Sequence, residues 1–201
     1  MPVKNLNIRV PQFAIRLLIC LVIVLSFTSF SGSLALQTNT KPYDYEVKAA
    51  FIINFAKFIN WQHSAFESID SPFYIGILGD NPFNSELEKL VSGKKLKGRE
   101  VRILYFNKFQ DFKFCHILFI SRSEKKRVKH IFKALKTNGI LTISDIENFI
   151  EYGGTIGFIM KNKKIRFEIN LASANNANLT ISSKLLRLAE RVIVEAVEEG
   201  L

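Results

Sequence analysis

Residues 73–83 read Phe-Tyr-Ile-Gly-Ile-Leu-Gly-Asp-Asn-Pro-Phe. A charge-free run of strand length that stops at a turn signal is how a strand buried on both faces reads. Asn81 then offers an N-cap oxygen and Pro82 a first helical position, which predicts a helix to about Val91. The pattern repeats downstream. Residues 101–106, 116–121 and 140–143 are further apolar strands. Ser121 with Glu124 makes a capping box for a helix through Lys136, and Ser144 with Glu147 makes a second. Strands alternating with helices imply crossover connections. The fold class read from this is α/β: a single three-layer domain, a mostly parallel central sheet, and helices on both faces.

The ends of the chain refine that picture. Residues 155–160 and 165–171 flank a turn at 161–164. In the second of them Ile165, Phe167, Ile169 and Leu171 alternate with Arg166, Glu168 and Asn170, so one face is buried and one is polar. An antiparallel hairpin at the edge of the sheet has this pattern. A last helix is predicted over 183–197 from Leu185, Leu188, Ala189, Val192 and Ala196. At the other end, a helix is predicted over 45–61. Its polar residues after Val47 are Lys48, Asn54, Lys57 and Asn60, and the last three form one narrow stripe. A helix apolar most of the way round must be covered on more than one side. The sheet is one cover and a second subunit is the expected other. The domain is read as 43–200, after a polar lead-in at 36–42.

The chain has 201 residues, 48% hydrophobic and 23% charged, which is the composition of a folding sequence. Lys4, Arg9 and Arg16 precede an apolar run, LLICLVIVLSFTSF, at 17–30, followed by Ser31-Gly32-Ser33-Leu34-Ala35. A basic region, a short apolar region and a small-x-small site read as a cleavable signal peptide over 1–35. The run is short for a membrane span of about 20 residues. Cleavage after Ala35 would lower the net charge of +10 by three and remove Cys20. Cys115 then has no intrachain partner. It is read as a small buried hydrophobe, with intermolecular pairing as the alternative. Two cysteines also exclude a disulfide-stapled scaffold and a Cys-rich zinc module.

Motifs for catalysis are missing. His63, His116 and His130 have no ligand at helical spacing, so no metal site is expected. No nucleophile elbow, P-loop or dinucleotide fingerprint occurs, and Gly153-Gly154 reads as a turn. The chain is therefore read as a non-enzyme without cofactors. Asp80 and Asp145 each follow a predicted parallel strand, where open α/β sheets bind ligands. A small-molecule crevice of Asp80, Ser121, Ser144 and Asp145 is one reading, and ordinary turn and cap residues are the other. The basic runs at 94–97, 124–129 and 161–164 lack interleaved aromatics or a recognition helix, so no nucleic-acid partner is expected. They read as solvated faces, with peripheral membrane contact at most.

Several blocks carry a family resemblance: Lys48-Ala-Ala-Phe-Ile-Ile-Asn-Phe-Ala-Lys-Phe58 closed by Trp61; Ile77-Leu-Gly-Asp-Asn-Pro-Phe83; Cys115-His-Ile-Leu-Phe-Ile-Ser121; Leu141-Thr-Ile-Ser-Asp145; Gly153-Gly154; Arg166-Phe-Glu-Ile-Asn170; and Ser183-Lys-Leu-Leu-Arg-Leu-Ala189. In this order they resemble the YfiR family of periplasmic proteins. The resemblance implies a three-layer α/β fold, a homodimer and a periplasmic location. It also implies a partner, the periplasmic sensor region of an inner-membrane diguanylate cyclase, held inactive until release raises cyclic di-GMP and biofilm formation. Such repressors can be linked to redox state through disulfides, and the lone Cys115 departs from that pattern. The residues expected to touch the partner are Phe58 and Trp61 as anchors, with Arg166, Glu168 and Asn170 as a polar row. Ordinary core packing is the competing reading for the two aromatics. An Arg166 surface pair is the competing reading for Glu168.

Overall fold

A computed structural model describes residues 40–194, with side chains from Asp44. The signal peptide expected over 1–35 lies outside the described residues. So do the first part of the lead-in and the end of the last predicted helix.

Helix α1 (Thr40–Phe58) leads directly into β1 (Ile59–Trp61). Then come β2 (Phe73–Leu78), α2 (Glu86–Val91), β3 (Lys95–Leu96), β4 (Arg99–Phe106) and β5 (Ile117–Ile120). Helix α3 (Val128–Ala134) precedes β6 (Leu141–Ser144) and the hairpin β7 (Ile156–Lys161) with β8 (Lys164–Asn170). Helix α4 (Leu171–Asn176), β9 (Leu179–Ile181), α5 (Ser183–Leu186) and β10 (Arg191–Ile193) complete the described chain. The main sheet has the order β10-β8-β7-β6-β5-β2-β4-β3. Its centre, β4 through β7, is parallel; β8 turns back antiparallel on β7, and β3 on β4. Strands β1 and β9 pair antiparallel in a small second sheet. The fold is α/β, as expected.

Side chains alternate across the central strands, so each strand feeds two cores. Ile75, Ile77, Phe119, Ile143, Phe158 and Phe167 pack under Ile52, Phe55 and Ala56 of α1. Leu78, Leu118 and Ile120 point the other way, onto Val128 and Ile131 of α3 and onto Phe149. The second cover expected for α1 is largely supplied within the chain. Leu87 of α2 and Leu185 of α5 belong to the same buried cluster as its apolar residues.

Five local expectations change. Ser121 Oγ caps no helix; a single 3-10 turn follows it and α3 starts only at Val128. Asn81 does not cap a helix; its Oδ1 accepts from the Phe83 N–H at 2.9 Å, closing a turn, and α2 starts only at Glu86. Ser144 opens no helix either. Its Oγ accepts from the Ile146 N–H and donates to the Ile120 carbonyl, which ties β6 to β5. The helix predicted over 183–197 stops at Leu186, and the chain then pairs in parallel with β8, where Glu190 N–H donates to the Phe167 carbonyl at 2.9 Å. That pairing gives Val192 and Ile193 a strand partner, which beta-branched residues favour. Strand β8 is therefore not the sheet edge; β10 is.

His116 shows how tightly the sheet's lower end is built. Its ring is 2% exposed and stacks on Phe66 and Phe73 at 4.4 and 4.8 Å. Nδ1 accepts from the Tyr74 N–H, which leaves Nε2 to donate to the Ala65 carbonyl. Burial holds its pKa down, to about 4. In the unfolded chain a histidine takes its proton near pH 6.5. The stability contributed by the neutral ring is thus complete above about pH 6.5 and is lost as pH falls from there toward 4. Unfolding free energy measured by denaturant titration should fall through that window, and His116→Phe should flatten the slope between about pH 6.5 and 5. An unchanged slope in the variant would show that another group carries it.

Candidate functional site

The most unusual chemistry in the domain is a buried charge. Lys48 of α1 is 6% exposed and Asp145, just past β6, is 4% exposed. Lys48 Nζ lies 2.5 Å from Asp145 Oδ2. The same oxygen accepts from the Tyr45 hydroxyl at 2.9 Å and faces Arg122 Nε at 3.2 Å. Burial first, and then the charge and hydrogen bond of Asp145, push the Tyr45 hydroxyl well above the usual tyrosine range, so it stays a donor. The second carboxylate oxygen, Oδ1, is buried without a partner. These residues line a cavity of about 260 Å³, walled on the far side by Phe158, Ile159, Met160 and Ile165.

The cavity's position follows from the topology. Strand order reverses between β2 and β5, the usual place for a crevice. Here that gap is closed. Gly79 at φ +88 brings the chain so close to Ser123 that an added Cβ would lie 2.3 Å from its Oγ. Open space appears one strand over, where β7 runs past the end of β6 and the hairpin overhangs Arg122 and Asp145. Of the residues expected in a strand-end crevice, only Asp145 lines it. Asp80 is exposed two strands away, with its N–H donating to Ser123 Oγ. Ser121 and Ser144 are buried, and the Ser144 hydroxyl is used between strands.

The expected contact residues are also placed. Trp61 is half-buried, edge-on to Phe73 at 5.0 Å, and its Nε1 donates to the Gly139 carbonyl. Phe58 is half-buried with the Lys184 ammonium 5.5 Å over its ring. Asn170 does not join a polar row. It is buried, its Oδ1 caps α4 at the Ser173 N–H and its Nδ2 donates to the Ile150 carbonyl. Glu168 is bridged by Arg191 at 2.8 Å, and Arg166 faces Glu190 at 3.4 Å. Arg191 of β10 and Glu190 just before it thus answer the charges that the alternation pattern left open. A different surface has cations outside any ion pair: a groove of about 200 Å³ floored by Ala50, Ile53, Leu90, Leu96 and Val101 and rimmed by Lys57, Lys94 and Lys95, with Glu100 opposite Lys95 in the β3–β4 register. Among the described residues none of these three lysines forms an ion pair.

The family model described as YfiR/HmsC-like matches residues 45–190. The chain belongs to this family. No curated protein matches it. The YfiR-like family is one of periplasmic, non-catalytic regulators of diguanylate cyclases. Among the described residues no helix is long and apolar enough to cross a membrane, and no group of three or more histidine, cysteine or acidic side chains is arranged to hold a metal.

Sequence reasoning missed Lys48, Tyr45 and Arg122 of the YfiR-like domain. The signal was present for Lys48, which falls off the stripe of Asn54, Lys57 and Asn60 and so sits on an apolar face that must supply it with a buried anion. Removing one member of a buried pair leaves the other uncompensated, at a cost of about 3–5 kcal/mol, while replacing both with apolar groups is far milder. Lys48→Met should therefore destabilise by about 3 kcal/mol, and Lys48→Met with Asp145→Leu by less than Lys48→Met alone. Denaturant melts of the two would check this; simple addition of two losses would contradict the coupling.

Proposed function

We propose that this chain is a periplasmic regulator that binds the periplasmic region of an inner-membrane diguanylate cyclase and holds it inactive. The observation that carries this reading is the family match across residues 45–190. The reading includes export by the signal peptide at 1–35 and the homodimer that the family resemblance implies.

The lysine-rimmed groove supports contact with a macromolecule. Apolar area flanked by lysines suits an acidic amphipathic segment of the partner, with the apolar floor supplying affinity and the lysines supplying steering and register. Arg166, though paired to Glu190, keeps an exposed guanidinium that can also reach a partner. Trp61 acts as a support for Phe58's end of α1, since its indole is committed to Phe73 and Gly139. Cys115 is buried against Gly76, and burial pushes its thiol pKa up, so release does not run through that sulfur.

Loss of the gene should raise cellular cyclic di-GMP. Lys94→Glu should do the same while changing stability by no more than about 0.5 kcal/mol, because the side chain is exposed. The nucleotide would be quantified in cell extracts, and the purified variant melted in parallel. Wild-type nucleotide levels in the deletion strain would reject the regulatory role. A normal level in the charge-reversed strain alone would move the contact to another face.

A further inference from the structure

The two edges of the main sheet are built differently. Strand β10 has three residues, and Arg191 at its start is held by Glu168 and Glu151. A short edge laced with charge is a poor template for another strand. Strand β4 has eight residues, of which β3 pairs only with Arg99 and Glu100. Among the described residues the rest of its outer edge, 101–106, has no strand beside it. The register fixes which backbone groups are left over. The Phe106 carbonyl accepts from the Gly79 N–H, so Phe106, Leu104 and Arg102 turn their N–H and C=O toward β2. Those of Ile103 and Tyr105 point outward. Ile103 and Leu104 are half-buried, and Tyr105 is 47% exposed. Natural sheets protect such an edge with proline, lysine or a bulge. This stretch has no proline or lysine, its register with β2 is unbroken, and its one charge is Arg102.

The occupant follows from the edge's own side chains. The second subunit expected over α1 is replaced there by α2 and α5, so a homodimer must meet on another face. An antiparallel copy of β4 centred on Leu104 sets Ile103 against Tyr105 of the second copy, and Tyr105 against its Ile103. Aromatic against β-branched is a favourable cross-strand pair. On the other face Leu104 meets Leu104, and Arg102 faces Phe106, so no like charges stand opposite. The alternatives are worse. Moving the centre to Ile103 sets Phe106 opposite Glu100, where β3 already lies, and moving it to Arg102 opposes two guanidinium groups. We propose that two copies of this chain join through the outer edge of β4, antiparallel about Leu104, into one continuous sheet. The contact is isologous, as a closed two-fold dimer requires. It rests on the homodimer included in the reading above and names its surface.

Analytical ultracentrifugation of the purified exported chain should show a dimer. Tyr105→Pro removes an outward N–H that has no partner in the protomer, a change that edge strands accept. It should weaken the dimer at least tenfold and leave Tm little changed. Leu104→Cys should form a covalent dimer under mild oxidation, reversed by reductant, because facing Cα atoms ~4.5 Å apart can carry a disulfide. Arg102→Cys, which the same register holds far from its counterpart, should not. Cys115 is buried and gives no background. If Tyr105→Pro melts early, the two cysteine variants decide. A monomer at every concentration would overturn this surface and the homodimer together. A dimer untouched by a well-folded Tyr105→Pro, or no crosslink at Leu104→Cys, would overturn the surface and leave the homodimer standing. Equal crosslinking of the two cysteine variants would overturn the register. Cyclic di-GMP in the deletion strain tests the cyclase reading separately.

Discussion

One ion pair sets how the first helix sits on the sheet. Helix α1 is apolar around most of its circumference, and an even apolar surface carries little rotational information. Lys48 supplies it. An ammonium taken out of water costs several kcal/mol unless a matched anion meets it, so rotations that move Lys48 away from Asp145 are excluded. The two residues lie 97 positions apart in the chain. Their pairing requires the first turns of α1 to lie over the ends of β5 and β6. Tyr45 extends the tie in both directions, donating to Asp145 and meeting the Phe83 ring edge-on at 5.5 Å.

With α1 held there, the rest of its surface is divided among neighbours. The sheet takes Ile52, Phe55 and Ala56, and α2 and α5 close the flanks. What remains is the shallow groove between α1 and α2, together with the cavity under the hairpin. The two differ in kind. The groove is open, apolar at its floor and lined with lysines at its rim, which suits a macromolecular surface. The cavity is small, polar at one wall and already neutralised in part, which suits a small molecule. Helix α1 lines each of them.

Strand β10 shows how tertiary pairing redirects local preference. Residues 185–193 have apolar side chains at helical spacing, yet after a turn at Arg187 and Leu188 the backbone is extended over Arg191–Ile193. Arg191 sits between Glu168 and Glu151, and Glu190 lies between Lys161 and Arg166. These charges, spread over some forty residues of chain, reward an extended segment alongside β8 more than a solvated final helix would. The same closure turns Glu168 from a candidate reader of a partner into part of the domain's own surface. Asn170 is lost as a contact residue for a related reason: its side chain is needed where β8 ends and α4 begins.

The sequence by itself determined the elements whose burial is total. The charge-free runs of β2, β5 and β6 have only one stable environment, the middle of a parallel sheet between helices, and the class of fold followed from them. The ordered blocks from Lys48 to Ala189 also carried the family. Tertiary structure alone decided whatever depended on distant partners. Ser144 became an interstrand tie because Ile120 lies beside it, Asp80 was separated from Asp145 by an intervening strand, and Arg122, Tyr45 and Lys48 converged on one oxygen. Periodicity reports which face of a segment avoids water; it holds no record of which charges from other segments will meet there.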